Sequence, residues 1–129
     1  MADPRFLSVE DVIAIHADQI ARCGGRQGVC DMGLLQAALG VPEAGIGEYY
    51  LHGDLHEMAA AYLYHLVRNH PFTDGNTRTA AMAAFVFLKM NGWTLKVSIS
   101  AFEEMVVKAA QGNVGKDLIA GFFRKHARS

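Results

Sequence analysis

Long hydrophobic runs are missing from this chain. The longest uninterrupted apolar stretch, Ala80 to Leu88, falls well short of the roughly 20 residues that a membrane-spanning helix needs, so no membrane helix is expected. Excess charge is missing too. Lys and Arg number 12 against 13 Asp and Glu, the net charge is −1, and no long basic cluster occurs; this argues against nucleic acid as the main partner. Cysteine is limited to Cys23 and Cys30, either side of a Gly-rich turn. The opening residues Met1 to Arg5 do not form a charged-then-apolar leader. Reduced thiols in the cytoplasm are therefore expected rather than a disulfide, and the spacing is not that of a zinc site. Internal repeats and low-complexity tracts are absent as well. What remains is 51% apolar and 19% charged, which reads as one globular domain around a single core.

Helix punctuation divides the chain. Ser8 and Asp11 form a capping box for a first helix to about Arg22, with Val9, Val12, Ile13, His16 and Ile20 on one face. His16 reads as a structural member of that stripe. Cys23 to Cys30 is a glycine loop that lacks the spacing of a nucleotide-binding loop. Asp31 caps a short helix to about Leu39, which offers Leu34, Leu35 and Ala38 for burial. The irregular stretch Val41 to Gly53 precedes Asp54 and Glu57, which open a helix to about Asn69. Another helix spans Asn76 to Met90 and is closed by Asn91-Gly92. Trp93 to Val97 is short and β-prone. Ser100 and Glu103 predict a capping box for a helix to about Gln111, and a last helix runs from about Lys116 to His126 with the apolar stripe Leu118, Ile119, Phe122 and Phe123. His65 reads as a hydrogen-bonded interior residue. The basic run Arg124, Lys125, His126 and Arg128 suits a helix C-terminus.

The stretch with chemistry in it is His70-Pro71-Phe72-Thr73-Asp74-Gly75-Asn76-Thr77-Arg78. It is a polar loop set between two of the most apolar segments, and buried polar backbone must find partners. Asp74-Gly75-Asn76 lies at the start of a helix, where the first amides have no intrahelical acceptor and the dipole favours an anion. Gly75 allows close approach and positive φ. Arg78, one turn in, can offer its guanidinium to phosphate oxygens. Asp74 is a hard oxygen ligand suited to Mg²⁺ that bridges phosphates. His70 carries the loop's one imidazole, the side chain whose ordinary pKa suits a general base near neutrality. Phe72 is expected to anchor the loop in the core. Together these are the parts for attack by a hydroxyl on a nucleotide phosphate.

The string resembles the signature of the Fic/Doc (Fido) family, His-x-Phe-x-Asp/Glu-Gly/Ala-Asn-x-Arg. Gly24-Gly25, Gly28, Asp31, Ala80, Phe87-Leu88 and Asn91-Gly92 are similar to its short Doc (death-on-curing) branch. The resemblance implies an all-α fold, about six helices around a central motif-bearing helix, with a small β flap at Val41 to Gly53 along the target groove. It implies Mg²⁺ and ATP as co-substrate, His70 as base, Asp74 as Mg²⁺ ligand, Gly75 and Asn76 at the phosphates, and Arg78 on the β- and γ-phosphates; Thr77, between them, is expected at the phosphates too.

AMP-transferring relatives place Gly where Thr77 stands and a second Arg where Ala81 stands. Doc toxins share both losses, commonly with Lys where Thr77 stands; Thr77 lacks that charge and offers a hydroxyl to phosphate instead. The resemblance therefore favours a kinase that moves the γ-phosphate to a Ser or Thr hydroxyl of a translation factor such as elongation factor Tu. AMP transfer and a Fido-like binding module without turnover are the alternatives. A built-in inhibitory Ser/Thr-x-x-x-Glu-Gly/Asn motif is not completed, because Met105 follows Glu104. Inhibition by a cognate antitoxin docking near Arg78 is expected instead.

Overall fold

The computed structural model describes residues 3–46 and 49–129. Six α-helices occur among them: α1 (Val9–Cys23), α2 (Met32–Gly40), α3 (Leu55–Asn69), α4 (Asn76–Met90), α5 (Ile99–Ala110) and α6 (Lys116–His126). Two antiparallel ribbons complete the fold. β1 (Gly45–Ile46) pairs with β2 (Tyr49–Tyr50), and β3 (Thr94–Leu95) pairs with β4 (Ala127–Arg128). The expected flap corresponds to the β1–β2 hairpin; residues 47–48, with the Gly47 of the sequence reading, lie outside the described residues.

Side-chain caps decide where most helices begin. Ser8 and Asp11 form the full capping box of α1. Asp31 accepts from the amide of Leu34, and Asp54 from that of Glu57. Glu57 reaches one residue further back than a capping box requires, accepting from Gly53 N at 2.7 Å. One start is displaced from the sequence reading. The cap of α5 is Ser98, which takes the Ala101 amide at 3.2 Å, and Ser100 lies inside the first turn. The ribbon explains the shift. Lys96 N still donates to His126 O, so the chain leaves β3 and turns at Ser98, the first hydroxyl that it reaches in extended backbone.

The core lies between α3 and α4, with the other helices wrapped around the pair. Along α3, Met58 to Leu63 are buried without interruption, and α4 contributes Ala80, Ala83, Ala84, Phe87 and Leu88. The alanines let the two helices approach closely, and Tyr62 and Phe87 fill the space beside them with ring centroids 5.0 Å apart. Tyr62 also takes the amide of Leu7 at 2.8 Å, and burial pushes its phenol well up. Asn91 ties the N-terminal segment to the end of α4 through both backbone groups of Arg5. Two residues expected inside are out: Leu34 is 41% and Leu118 65% exposed. The helices α2 and α6 each present one narrow stripe, Leu35, Ala38 and Leu39 in the first and Ile119, Ala120 and Phe123 in the second, and Leu34 and Leu118 fall one residue outside it.

Candidate active site

The turn between α3 and α4 carries the motif. At the end of α3, His70 is the C-cap and holds a left-handed backbone, φ 52°. That places the exposed imidazole clear of the helix just before Pro71, which cannot continue it. Phe72 is 2% exposed and anchors the turn. Asn76 secures it: its side-chain carbonyl takes the Phe72 amide and its NH₂ donates to the Phe72 carbonyl, both at 2.9 Å. The side chain of Asn76 is thereby committed to the loop, and its backbone N–H is the group left for a ligand.

Gly75 caps α4 in left-handed backbone, φ 73°, and supplies no side-chain hydrogen bond. The first backbone bond at this end runs from Thr79 N to Gly75 O. The amides of Gly75, Asn76, Thr77 and Arg78 thus have no protein acceptor among the described residues. A cavity of about 350 Å³ lies against this helix end, lined by His70, Thr73, Asp74, Gly75, Asn76, Thr77 and Arg78. All the polar residues singled out in the sequence border one space, while Phe72 holds it from beneath.

A second chain segment braces the site. The glycine loop between α1 and α2 lies against the motif: Cys30 N donates to Pro71 O at 2.7 Å and Thr73 N to Gly28 O at 3.2 Å. Arg26 N donates to Asp74 Oδ2 at 2.9 Å, and Arg78 Nη2 donates to Gly24 O at 3.0 Å. A Cβ on Gly25 would stand 3.0 Å from Ile20 Cδ1 and 3.3 Å from Asp74 Cβ, so that glycine is needed for close approach. This bracing role was missed in the sequence, although Gly24-Gly25 was a signal for it. From α1, His16 is buried, stacks on Phe72 with centroids 3.9 Å apart and planes 5° apart, and bonds the Asp74 carbonyl through Nε2 at 2.7 Å. It is a core residue, as read from its stripe, and it also touches the motif. Cys23 and Cys30, at the ends of the bracing loop, are free and exposed.

Asp74 is compatible with a cation that arrives with a nucleotide. Oδ2 is occupied by Arg26 N, and Oδ1 has no protein hydrogen-bond partner among the described residues. One carboxylate oxygen plus phosphate oxygens and water is a set that Mg²⁺ accepts. No group of three or more candidate ligands for a self-sufficient metal site occurs among the described residues.

Residues 6–88 match the Fic/DOC family. The chain belongs to the Fic/Doc family. Similar members include a protein named Protein kinase doc from Escherichia phage P1, 36% identical over 121 residues that cover 94% of each chain. Another is Toxin Doc from Mycolicibacterium smegmatis, 38% identical over 117 residues, 89% of this chain and 88% of that one. The family match includes the whole His70–Arg78 turn, which lines the cavity, and the loop that braces it.

Beyond Arg78 the surface changes character. A mainly apolar groove of about 410 Å³ lies between α4 and α5 and reaches α1, lined among others by Ala81, Met82, Phe85, Val97 and Phe102, with Gln19, Arg78 and Glu103 as its polar members. The methyl of Ala81 stands where a second arginine would have put charge into this groove.

Proposed function

We propose that the chain is a Doc-like toxin that transfers the γ-phosphate of Mg²⁺-bound ATP to a Ser or Thr hydroxyl of a target protein, a translation factor such as elongation factor Tu. The carrying observation is the uncapped start of α4, whose four amides have no protein acceptor among the described residues and lie on the same cavity as the exposed imidazole of His70. In this reading His70 takes the hydroxyl proton as the oxygen attacks phosphorus. The bond from the γ-phosphorus to its bridging oxygen breaks, and ADP leaves. The Gly75–Arg78 amides and the Arg78 guanidinium hold the charge of the transferring group. Magnesium, held by Asp74 Oδ1, would neutralise phosphate charge. Support for kinase over AMP transfer comes from the Thr77 side chain at the cavity and the missing charge at Ala81, together with the name of the phage relative.

ATP labelled at the γ or at the α position separates the cases. Label reaching the target from γ alone is expected; label from α would replace phosphoryl with adenylyl transfer. We further propose that the α4–α5 groove takes an apolar segment of a cognate antitoxin whose acidic group meets Arg78, since the groove is open, apolar and bordered by that guanidinium.

A further inference from the structure

Asp74 and Gly75 share one peptide group, and the direction it faces decides the polarity of the cavity. The carbonyl of Asp74 points at α1, where it accepts the Nε2–H of His16 at 2.7 Å. Since a carbonyl only accepts, the imidazole must carry its proton on Nε2. In a trans peptide the N–H lies opposite the C=O, and no cis bond occurs in the described residues. The Gly75 N–H therefore faces away from the imidazole and has no protein acceptor among the described residues. It joins the amides of Asn76, Thr77 and Arg78 at the start of α4.

Glycine makes this arrangement fragile. A residue without Cβ adopts backbone on either side of φ zero with little cost, so the Asp74–Gly75 peptide can rotate about its flanking bonds. Rotation would bring the Asp74 carbonyl round to the side now held by the Gly75 N–H, and a lone pair would then face any phosphate there. Nothing on the motif loop itself prevents it: the Asp74 carboxylate is tied to Arg26 N and the Asn76 amide to Phe72, and neither bond involves this peptide. The contact that does is His16, and His16 is itself fixed. It is 3% exposed, is stacked flat on Phe72, and its Cδ2 stands 3.8 Å from the place of a Gly75 Cβ.

We propose that His16 is a positioning residue: its Nε2–H latches the Asp74–Gly75 peptide so that the cavity presents N–H, and not C=O, to the phosphate chain. The proposal rests on the reading of the cavity as a phosphate site. Two variants divide the side chain's roles. His16→Phe keeps an aromatic face on Phe72 but has no donor; His16→Gln gives up the stack but keeps an amide N–H of similar reach. Binding of Mg²⁺–ATP is followed by calorimetry and by the amide resonances of Gly75 and Asn76, with melting temperature as the control for folding.

The expected result is affinity weakened about tenfold in His16→Phe, the worth of one lost hydrogen bond, with the Gly75 amide no longer shifted by the ligand. In His16→Gln affinity and shift should recover in part, whatever its melting temperature. In turnover, KM for ATP should rise with little change in kcat. A folded His16→Phe that binds with wild-type affinity and shows the wild-type Gly75 shift overturns the proposal. So does a His16→Gln no better than His16→Phe. If His16→Phe does not fold, His16→Ala replaces it in the same comparison. Failure of the wild-type protein to bind Mg²⁺–ATP would sink the phosphate site and the latch together. Binding that is intact in every variant would sink the latch alone.

Discussion

His70 sits in a conformation that its own backbone disfavours. Left-handed backbone costs a residue with a Cβ roughly 1–2 kcal/mol, and among the described non-glycine residues His70 shows it alone. Stability and activity should separate here. His70→Ala keeps the same Cβ and should fold as well as the parent while the proposed transfer is lost. His70→Gly relieves the strain and should match or exceed the parent's stability by up to about 1 kcal/mol, with transfer equally absent. Urea unfolding and a transfer assay on the same preparations check both. A His70→Gly protein less stable than His70→Ala would show that the strain is not there. Asn76 illustrates how a residue's role can lie in its backbone. Its place in the motif was readable from the sequence, whereas the commitment of its side chain to Phe72 was not, because that depends on how the turn closes.

At the scale of elements, the closure of the turn is itself measurable. Asn76→Ala removes two bonds to the Phe72 backbone in a site where Asn76 is 4% exposed. Losing them and leaving a buried N–H and C=O unpaired should cost about 2–3 kcal/mol, readable as a lowered urea midpoint at unchanged m-value. A loss under 0.5 kcal/mol, on the order of a neutral surface change, would refute that role. Further along, the N-terminus of α6 is fixed to α3 through Lys116, whose Nζ donates to His65 Nε2 at 3.0 Å and to His52 Nε2 at 3.3 Å. Burial, and then the Lys116 ammonium, push the His65 imidazole down to about 4; burial and Lys116 also lower His52. The sign follows from linkage. A histidine with a folded pKa below its unfolded value of about 6.5 binds its proton more readily when unfolded. Its contribution is fully present above pH 6.5 and lost as pH falls towards 4. The melting temperature should fall across that window, and His65→Gln should flatten the fall. Equal slopes in the two proteins would exclude His65 as the cause. Helix starts were legible in the sequence wherever a single side-chain cap stood before the helix, as Ser8, Asp31 and Asp54 do for α1, α2 and α3. They were not where two serines compete, as at Ser98 and Ser100, since the choice was made by the β3–β4 ribbon. That ribbon pairs residues more than thirty positions apart, which no local pattern announces.

For the whole molecule, the family and the string His70–Arg78 could be read directly, because a signature of consecutive residues needs no knowledge of the fold. The segment that braces the motif could not. Gly24, Arg26 and Gly28 contribute backbone groups, and backbone has no sequence identity beyond the glycines that permit its approach. The α4–α5 groove likewise exists only once Phe85, Val97 and Phe102 are brought together. Its proposed occupant has a test in cells. Co-expression of the neighbouring open reading frame should relieve toxicity, and Arg78→Ala should weaken capture of that product. Unrelieved toxicity would count against the antitoxin.

The bare start of α4 also makes this protein a reporter of the solution around it. If the proposed phosphate site is there, oxyanions on four amides that have no acceptor among the described residues favour the folded form by mass action, so sulfate or phosphate buffer should raise the apparent melting temperature and at the same time occlude the cavity. If the cavity is the proposed nucleotide site, any assay run in such a buffer would overstate the protein's robustness and understate its affinity for nucleotide, and both errors would vanish on dialysis into chloride.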